Sequence, residues 1–195
     1  MHDIKYIIGT PNSFVVDKHK FSELCQRGCR IWNSKWSCPP HSIGFRINQW
    51  IPFYVVILWM PNTIISKNEY TKVKAINSIL KSRLYRLLSQ YPNNKVLGSG
   101  SCRLCKKCAY PNTCRHPDKM IYSMESVGID VVSVCKALGH ELKWYQKGKA
   151  YPYGSVVGLI GDNNKDSIEA RLRKILFDDN KEVTESRPIM NMEVL

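Results

Sequence analysis

Cys102, Cys105 and Cys108 follow one another with two residues between each pair, in the run Cys-Arg-Leu-Cys-Lys-Lys-Cys. Cys114 comes after five more residues, and Gly98 and Gly100 open the segment. Thiolates spaced this way on a glycine-led turn can curl around one compact metal centre. A C-x2-C-x2-C run with a remote fourth cysteine resembles the ferredoxin-type arrangement around a 4Fe-4S cube, whereas structural zinc usually takes two ligands from each of two separated knuckles. The spacing therefore favours an iron-sulfur cluster on Cys102, Cys105, Cys108 and Cys114. Zinc is the alternative, because thiolate suits both metals and both lower the cysteine pKa enough to bind it deprotonated near neutral pH.

Arg103, Lys106, Lys107, Arg115, His116 and Lys119 surround this loop. They would offset the negative charge of a thiolate-ligated cluster, tune its potential and offer a docking face to an acidic electron-donor protein. The plainer reading is solvated side chains on a basic protein.

A second set, Cys25, Cys29 and Cys38, lies upstream, with Trp32 and Trp36 between the last two and Pro39-Pro40 stiffening the loop that follows. It has no obvious fourth ligand, and His41 reads as a loop histidine rather than one. Three readings stand: a second cluster with one iron open to substrate, a share in a larger site with the other loop, or structural thiols near the first cluster. An open iron would make the protein an enzyme acting on a sulfur-containing or other soft substrate. Cys135 stands apart, on an apolar helical face with Val131, Val134 and Leu138, and reads as a small buried hydrophobe.

Elements that would position these loops are legible from periodicity. Phe53 to Trp59 is an unbroken apolar run with β-branched and aromatic residues, the pattern of a strand buried on both faces and central in its sheet. Asn68 to Tyr91 repeats Val73, Ile76, Leu80, Leu84, Leu87 and Leu88 at helical spacing, with Lys72, Lys74, Lys81, Arg83 and Arg86 mostly facing elsewhere. Lys95 to Gly98 forms a short strand. Pro117 starts a helix that Gly128 closes, and Ile129 to Leu138 makes the next. Glu141 to Tyr145 and Ser155 to Ile160 read as strands, and Lys165 to Phe177 as a last amphipathic helix. The expectation is an α+β fold, a mixed or mainly antiparallel sheet packed by helices, with cysteine-bearing loops at 25–41 and 98–117. Residues 1–178 form one metal-binding domain, and 179–195 a loosely held tail.

Composition narrows the function classes. The chain has 195 residues, 44% of them hydrophobic, which is enough for a real core. Met1 to Thr10 carries no export signal, and the apolar run Trp50 to Met60 is broken by Pro52 and too short to span a membrane. The expected compartment is the cytoplasm, where clustered thiols usually mean metal. A net charge of +13 suits nucleic acid, an acidic membrane or an acidic protein. A chain rich in Lys, Ile and Asn and poor in Ala acquires such charge from coding bias alone, and no standard nucleic-acid motif is present. A zinc-stabilised nucleic-acid-binding module is therefore the lesser alternative to a redox or electron-transfer protein.

Taken together, Cys38-Pro-Pro, Gly98-Ser-Gly-Ser-Cys102-x2-Cys105-x2-Cys108, Cys114-Arg-His-Pro117 and Ser123-Met-Glu125-Ser-Val-Gly128-Ile-Asp130-Val resemble a known pattern. The chain, from about Cys25 to Ile160, is similar to an uncharacterised family of small bacterial and archaeal proteins described as cysteine-rich predicted metal-binding proteins, a domain of unknown function. The resemblance implies metal or iron-sulfur binding by the seven matched cysteines, in an anaerobe-leaning setting, without an assigned reaction. The family pattern commonly has Arg-Pro before Ser-Met-Glu, where this chain has Ile121-Tyr122. Ser123, Glu125 and Asp130 follow the cluster loop closely, where a carboxylate would accept a proton or hold a ligand beside the metal. Asp130, just after Gly128, reads rather as a helix cap.

Overall fold

The run from Tyr54 to Pro61, rich in β-branched and aromatic residues, forms β2 (Tyr54–Pro61), in which Val55, Val56, Ile57 and Leu58 are fully buried. The computed structural model describes residues 3–66 and 68–178. It sets β2 in a five-stranded sheet with β1 (Lys5–Gly9), β3 (Val96–Gly98), β4 (Tyr122–Ser123) and β5 (Tyr153–Ile160), in the order β1-β2-β5-β3-β4. β5 is the central strand and pairs with β2 along its whole length, from Tyr54 opposite Ile160 to Pro61 opposite Tyr153. All pairs are antiparallel except β3 with β4. With helices packed on it, this mostly antiparallel sheet is the expected α+β fold.

Alternation along β2 feeds two cores. Val56, Leu58 and Met60 pack with Ile76, Leu80, Leu84 and Leu87 of α2 (Glu69–Leu88) and with Ile168 and Leu172 of α4 (Lys165–Arg173). Val55 and Ile57 face the other way, onto Met124, Val127, Ile129 and the α3 (Val131–Ala137) residues Val134 and Cys135. A strand covered on both faces has no polar side to show, which is why it reads as unbroken apolar sequence. α2 begins where the Asn68 side chain accepts the Thr71 N–H, and after its end at Leu88 the chain reaches Pro92, which cannot extend a helix. Each fully buried leucine on its inner face contributes about 2 kcal/mol of burial free energy. α4 runs on as a π-helical turn, Lys174–Asp178, that buries Ile175 and Leu176. Among the described residues no helix is long and apolar enough to cross a membrane.

Three expectations need correction. The helix expected from Pro117 to Gly128 is instead two 3-10 turns, Pro117–Lys119 and Glu125–Val127, separated by β4. The free edge of β3 decides this: Leu97 and Gly98 pair with Tyr122 and Ser123, and the Met124 N–H donates to the Gly98 carbonyl. Tertiary pairing overrides the local period. Residues 141–145 are not a strand and enter no ladder of the sheet. Glu141 instead offers its carbonyl to the Tyr153 hydroxyl.

The first cysteine segment is not all loop. α1 (Lys18–Gly28), capped by the Asp17 side chain accepting the Lys20 N–H, carries Cys25, and Cys29 follows its last residue. α1 buries none of its residues, and its apolar face is short, Phe21, Leu24 and Cys25. It lies against the turn at Gly128, where φ is +101° and an added Cβ would stand 2.7 Å from the Lys18 backbone. Only glycine fits both the left-handed conformation and the close approach. The expected tail, 179–195, lies outside the described residues.

Candidate metal centre

β3 delivers the second cysteine loop against α2. A Cβ on Gly98 would lie 2.7 Å from the Tyr85 hydroxyl oxygen, so the chain leaves the sheet hard against the tip of the Tyr85 side chain of α2. Beyond it Cys102, Cys105, Cys108 and Cys114 all line one narrow cavity of about 20 Å³. Lys35, Trp36 and Ser37 of the first segment form part of the same wall. All eight cysteines are free thiols. Among the described residues, no three His, Cys, Asp or Glu side chains are already arranged to hold a single metal ion. The four cysteines thus border one small cavity without forming a ready-made site for a single metal ion.

The two segments are clasped by specific bonds. Lys35 Nζ donates to the Cys102 carbonyl at 2.9 Å, and the Cys102 N–H donates to Ser37 Oγ at 3.0 Å. Trp36 Nε1 donates to the Asn112 carbonyl at 2.9 Å. The Asn33 side-chain oxygen accepts from the Tyr110 hydroxyl at 3.0 Å and stands 2.8 Å from His41 Nε2. Asn33 sits at φ 50°, a left-handed conformation that asparagine tolerates better than most residues. Trp36, His41 and Tyr110 pack ring against ring, with centroids 4.7 to 5.2 Å apart. His41 therefore serves the clasp, in keeping with a loop histidine.

The electrostatics differ from thiol to thiol. Burial alone would raise Cys108, but backbone N–H groups of Tyr110, Trp36 and Ala109, with the Lys35 ammonium, outweigh it and bring its pKa below the ordinary thiol value. Hydrogen bonds to a thiolate favour the charged, ligating form. Cys38 is raised, first by burial and then by Cys29 and Cys108, against the Ser37 hydroxyl and Lys35. Cys25 is raised by burial and by Cys29, Glu125 and Cys38. Each of these influences requires proximity. Cys25, Cys29 and Cys38 thus lie within electrostatic reach of one another, and Cys38 within reach of Cys108 of the other loop.

Beside this group lies Glu125. Its Oε2 is sealed from solvent with no hydrogen-bond partner, while part of the side chain lines a cavity of about 350 Å³ together with Lys81. Burial pushes its carboxyl above the usual carboxylate range, although its own backbone amide, the Ser123 hydroxyl and the Lys81 ammonium all pull it down. Lys18, half-buried, spans Ser42 Oγ and the Ser126 carbonyl and stands near Cys25. Asp130 caps α3, accepting the Val132 and Ser133 N–H groups at 2.9 and 3.2 Å. The buried Ser123 oxygen accepts the Ser126 N–H, a turn-forming role. Cys135 is fully buried in the α3 core, its thiol pushed up to about 12 chiefly by burial.

Sequence reasoning missed Lys18, Lys35, Ser37 and Lys81 as parts of this region. Lys81 was placed on the outward flank of α2, yet it is half-buried beneath the second loop. Nothing local distinguishes it from Lys72 or Lys74; only the partner segment does. The donor set itself suits a metal centre: four soft thiols on one cavity, one of them prepared by backbone N–H groups for the thiolate form.

A family model described as predicted metal-binding protein (DUF2284) matches residues 10–160 of the chain. No curated protein and no solved structure matches it.

Proposed function

The chain belongs to the DUF2284 family of predicted metal-binding proteins, and on that premise we propose that its centre is an iron-sulfur cluster of the 4Fe-4S type, held by Cys102, Cys105, Cys108 and Cys114 and used in electron transfer. One observation carries this reading: the four cysteines of the C-x2-C-x2-C…C pattern line a single cavity. When bound, such a group supplies one-electron redox chemistry. The protein's part is to bind and poise it. The four thiols ligate; the amides of Tyr110, Trp36 and Ala109 support negative charge on Cys108. Lys35, tied to the Cys102 carbonyl, adds a cation at the cavity wall. Exposed Arg103, Lys106, Lys107, Arg115 and Lys119 suit an acidic electron-donor protein in a reducing cytoplasm.

A second reading draws on the electrostatic influence that Cys25, Cys29 and Cys38 exert on one another and that Cys108 exerts on Cys38. Three thiolates would hold a further centre with one position open, where a sulfur-containing or other soft substrate would bind. Its sign is a spectral change on adding sulfide that Cys38→Ser abolishes.

Anaerobic purification with iron, zinc and acid-labile sulfide analysis tests the main reading. The expected protein is brown, with broad absorption at about 400 nm that dithionite bleaches, as thiolate-to-iron charge transfer requires. Colourless protein with stoichiometric zinc refutes it and leaves the zinc-stabilised module, whose nucleic-acid affinity would fall steeply with salt.

A further inference from the structure

On another side of Cys102 lies a much larger cavity, of about 830 Å³, between α2 and the segments 102–104 and 118–121. That volume is in the range of small-molecule sites. Tyr85 and Tyr91 contribute flat apolar walls, and Lys81, Arg103 and Lys119 contribute cations. Asp118 is the one acid on the lining. Among the described residues none of the three cations forms an ion pair. Lys81 is the most constrained of them: burial depresses its pKa, and Arg103 depresses it further, while the buried Glu125 acts the other way. Lys81 and Arg103 both line this cavity, and an anion placed between them would be attracted by both and would offset their mutual repulsion.

We propose that this cavity binds a small molecule with a flat, ring-bearing body and a single anionic group, the anion lying between Lys81 and Arg103 and the ring against Tyr85 and Tyr91. Binding is independent of the cluster; only its significance, a ligand held next to a redox centre through Cys102, rests on the reading of the previous subsection. Arginine and lysine grip the anion differently, Arg103 by a two-pronged hydrogen bond and Lys81 as a point charge. Aromatic walls add stacking that any ring satisfies.

The test uses the full chain, purified anaerobically, titrated with the fluorescent aromatic sulfonate 8-anilinonaphthalene-1-sulfonate and then challenged with phenyl phosphate or with phenol. The expected result is one saturable site from which phenyl phosphate, but not phenol at equal concentration, displaces the probe. Arg103→Met and Lys81→Met should each weaken binding about tenfold, the scale of a lost charge-assisted bond. Lys136→Met, an exposed cation on α3 away from the cavity, should leave it unchanged. Absence of a saturable site overturns the inference. So does equal binding by wild type and Arg103→Met with matching circular dichroism, or an equal loss in Lys136→Met. Arg103 is exposed, so its variant keeps the test valid if Lys81→Met fails to fold. Iron and sulfide measured on the same samples separate the two readings, since probe binding by cluster-free protein sinks the cluster and spares the cavity.

Discussion

The backbone N–H of Cys102 donates to the hydroxyl of Ser37 at 3.0 Å, joining the first cysteine of one loop to the neighbour of Cys38 in the other, 65 residues away in sequence. Ser37 is almost fully buried, and its hydroxyl also supports the Cys38 thiolate. A single small side chain therefore couples both cysteine sets. Ser37→Ala leaves the Cys102 amide without its partner, and a loss of about 1 to 3 kcal/mol is expected. Urea denaturation of the metal-free protein measures it; a shift no larger than that of an exposed serine variant such as Ser89→Ala would show that the bond is dispensable.

The cysteine variants should separate into two groups. Cys105→Ser or Cys108→Ser removes a ligand from the cavity that all four sulfurs line, and iron content and visible colour should fall to a small fraction of wild type. Cys38→Ser should keep the colour of the main centre while altering its electron paramagnetic resonance, because Cys38 lies within electrostatic reach of Cys108 without lining that cavity. Equal loss of iron in all three would point to one composite site.

Cys135 provides an internal reference thiol. Its folded pKa of about 12 against an ordinary 9.0 keeps it protonated at neutral and mildly alkaline pH. Iodoacetamide at about pH 8 should leave it unmodified in the folded protein, and denaturant should expose it, as peptide mass analysis would read. The same shift has a stability consequence. Between 9.0 and about 12 the unfolded thiol has lost its proton while the folded one retains it, so the unfolded state binds fewer protons and stability falls as pH rises. Cys135→Ala should flatten that part of the pH profile; an unchanged profile would refute the assignment.

How much of this was readable beforehand follows from what each residue depends on. β2 and α2 were plain, because continuous burial and a helical stripe are properties of the segment itself. The cysteine spacing and the Asp130 cap are equally local. α1 buries none of its residues, and residues 117–128 mislead because Pro117 and Gly128 stand where a helix would start and stop, until the edge of β3 is known. Lys81 shows the same limit at the level of the site. On α2 it is one lysine among several, and only the arrival of the loop at Gly100 covers it and puts it on one cavity with Arg103.

That arrival depends on Gly98, which yields a final prediction. An alanine there would bring its Cβ to 2.7 Å from the Tyr85 hydroxyl oxygen and 2.9 Å from the ring carbon bearing it, closer than side chains tolerate. Either Tyr85 must swing into the large cavity or the second cysteine loop must lift from α2, and the cost of such overpacking is about 1 to 3 kcal/mol. Gly98→Ala should therefore lower the unfolding midpoint and weaken metal retention together. Tyr85→Leu removes the ring that the new methyl meets, so in a double-mutant cycle the combined variant should be more stable than the sum of the two single losses allows, by at least about 0.5 kcal/mol. Additive losses would mean that the fit against Tyr85 is not what the absence of a side chain at Gly98 serves. In that case Gly98 would not set the separation between loop and helix, and the position of Cys102 between its two cavities would have to be fixed by the Lys35 and Ser37 bonds alone.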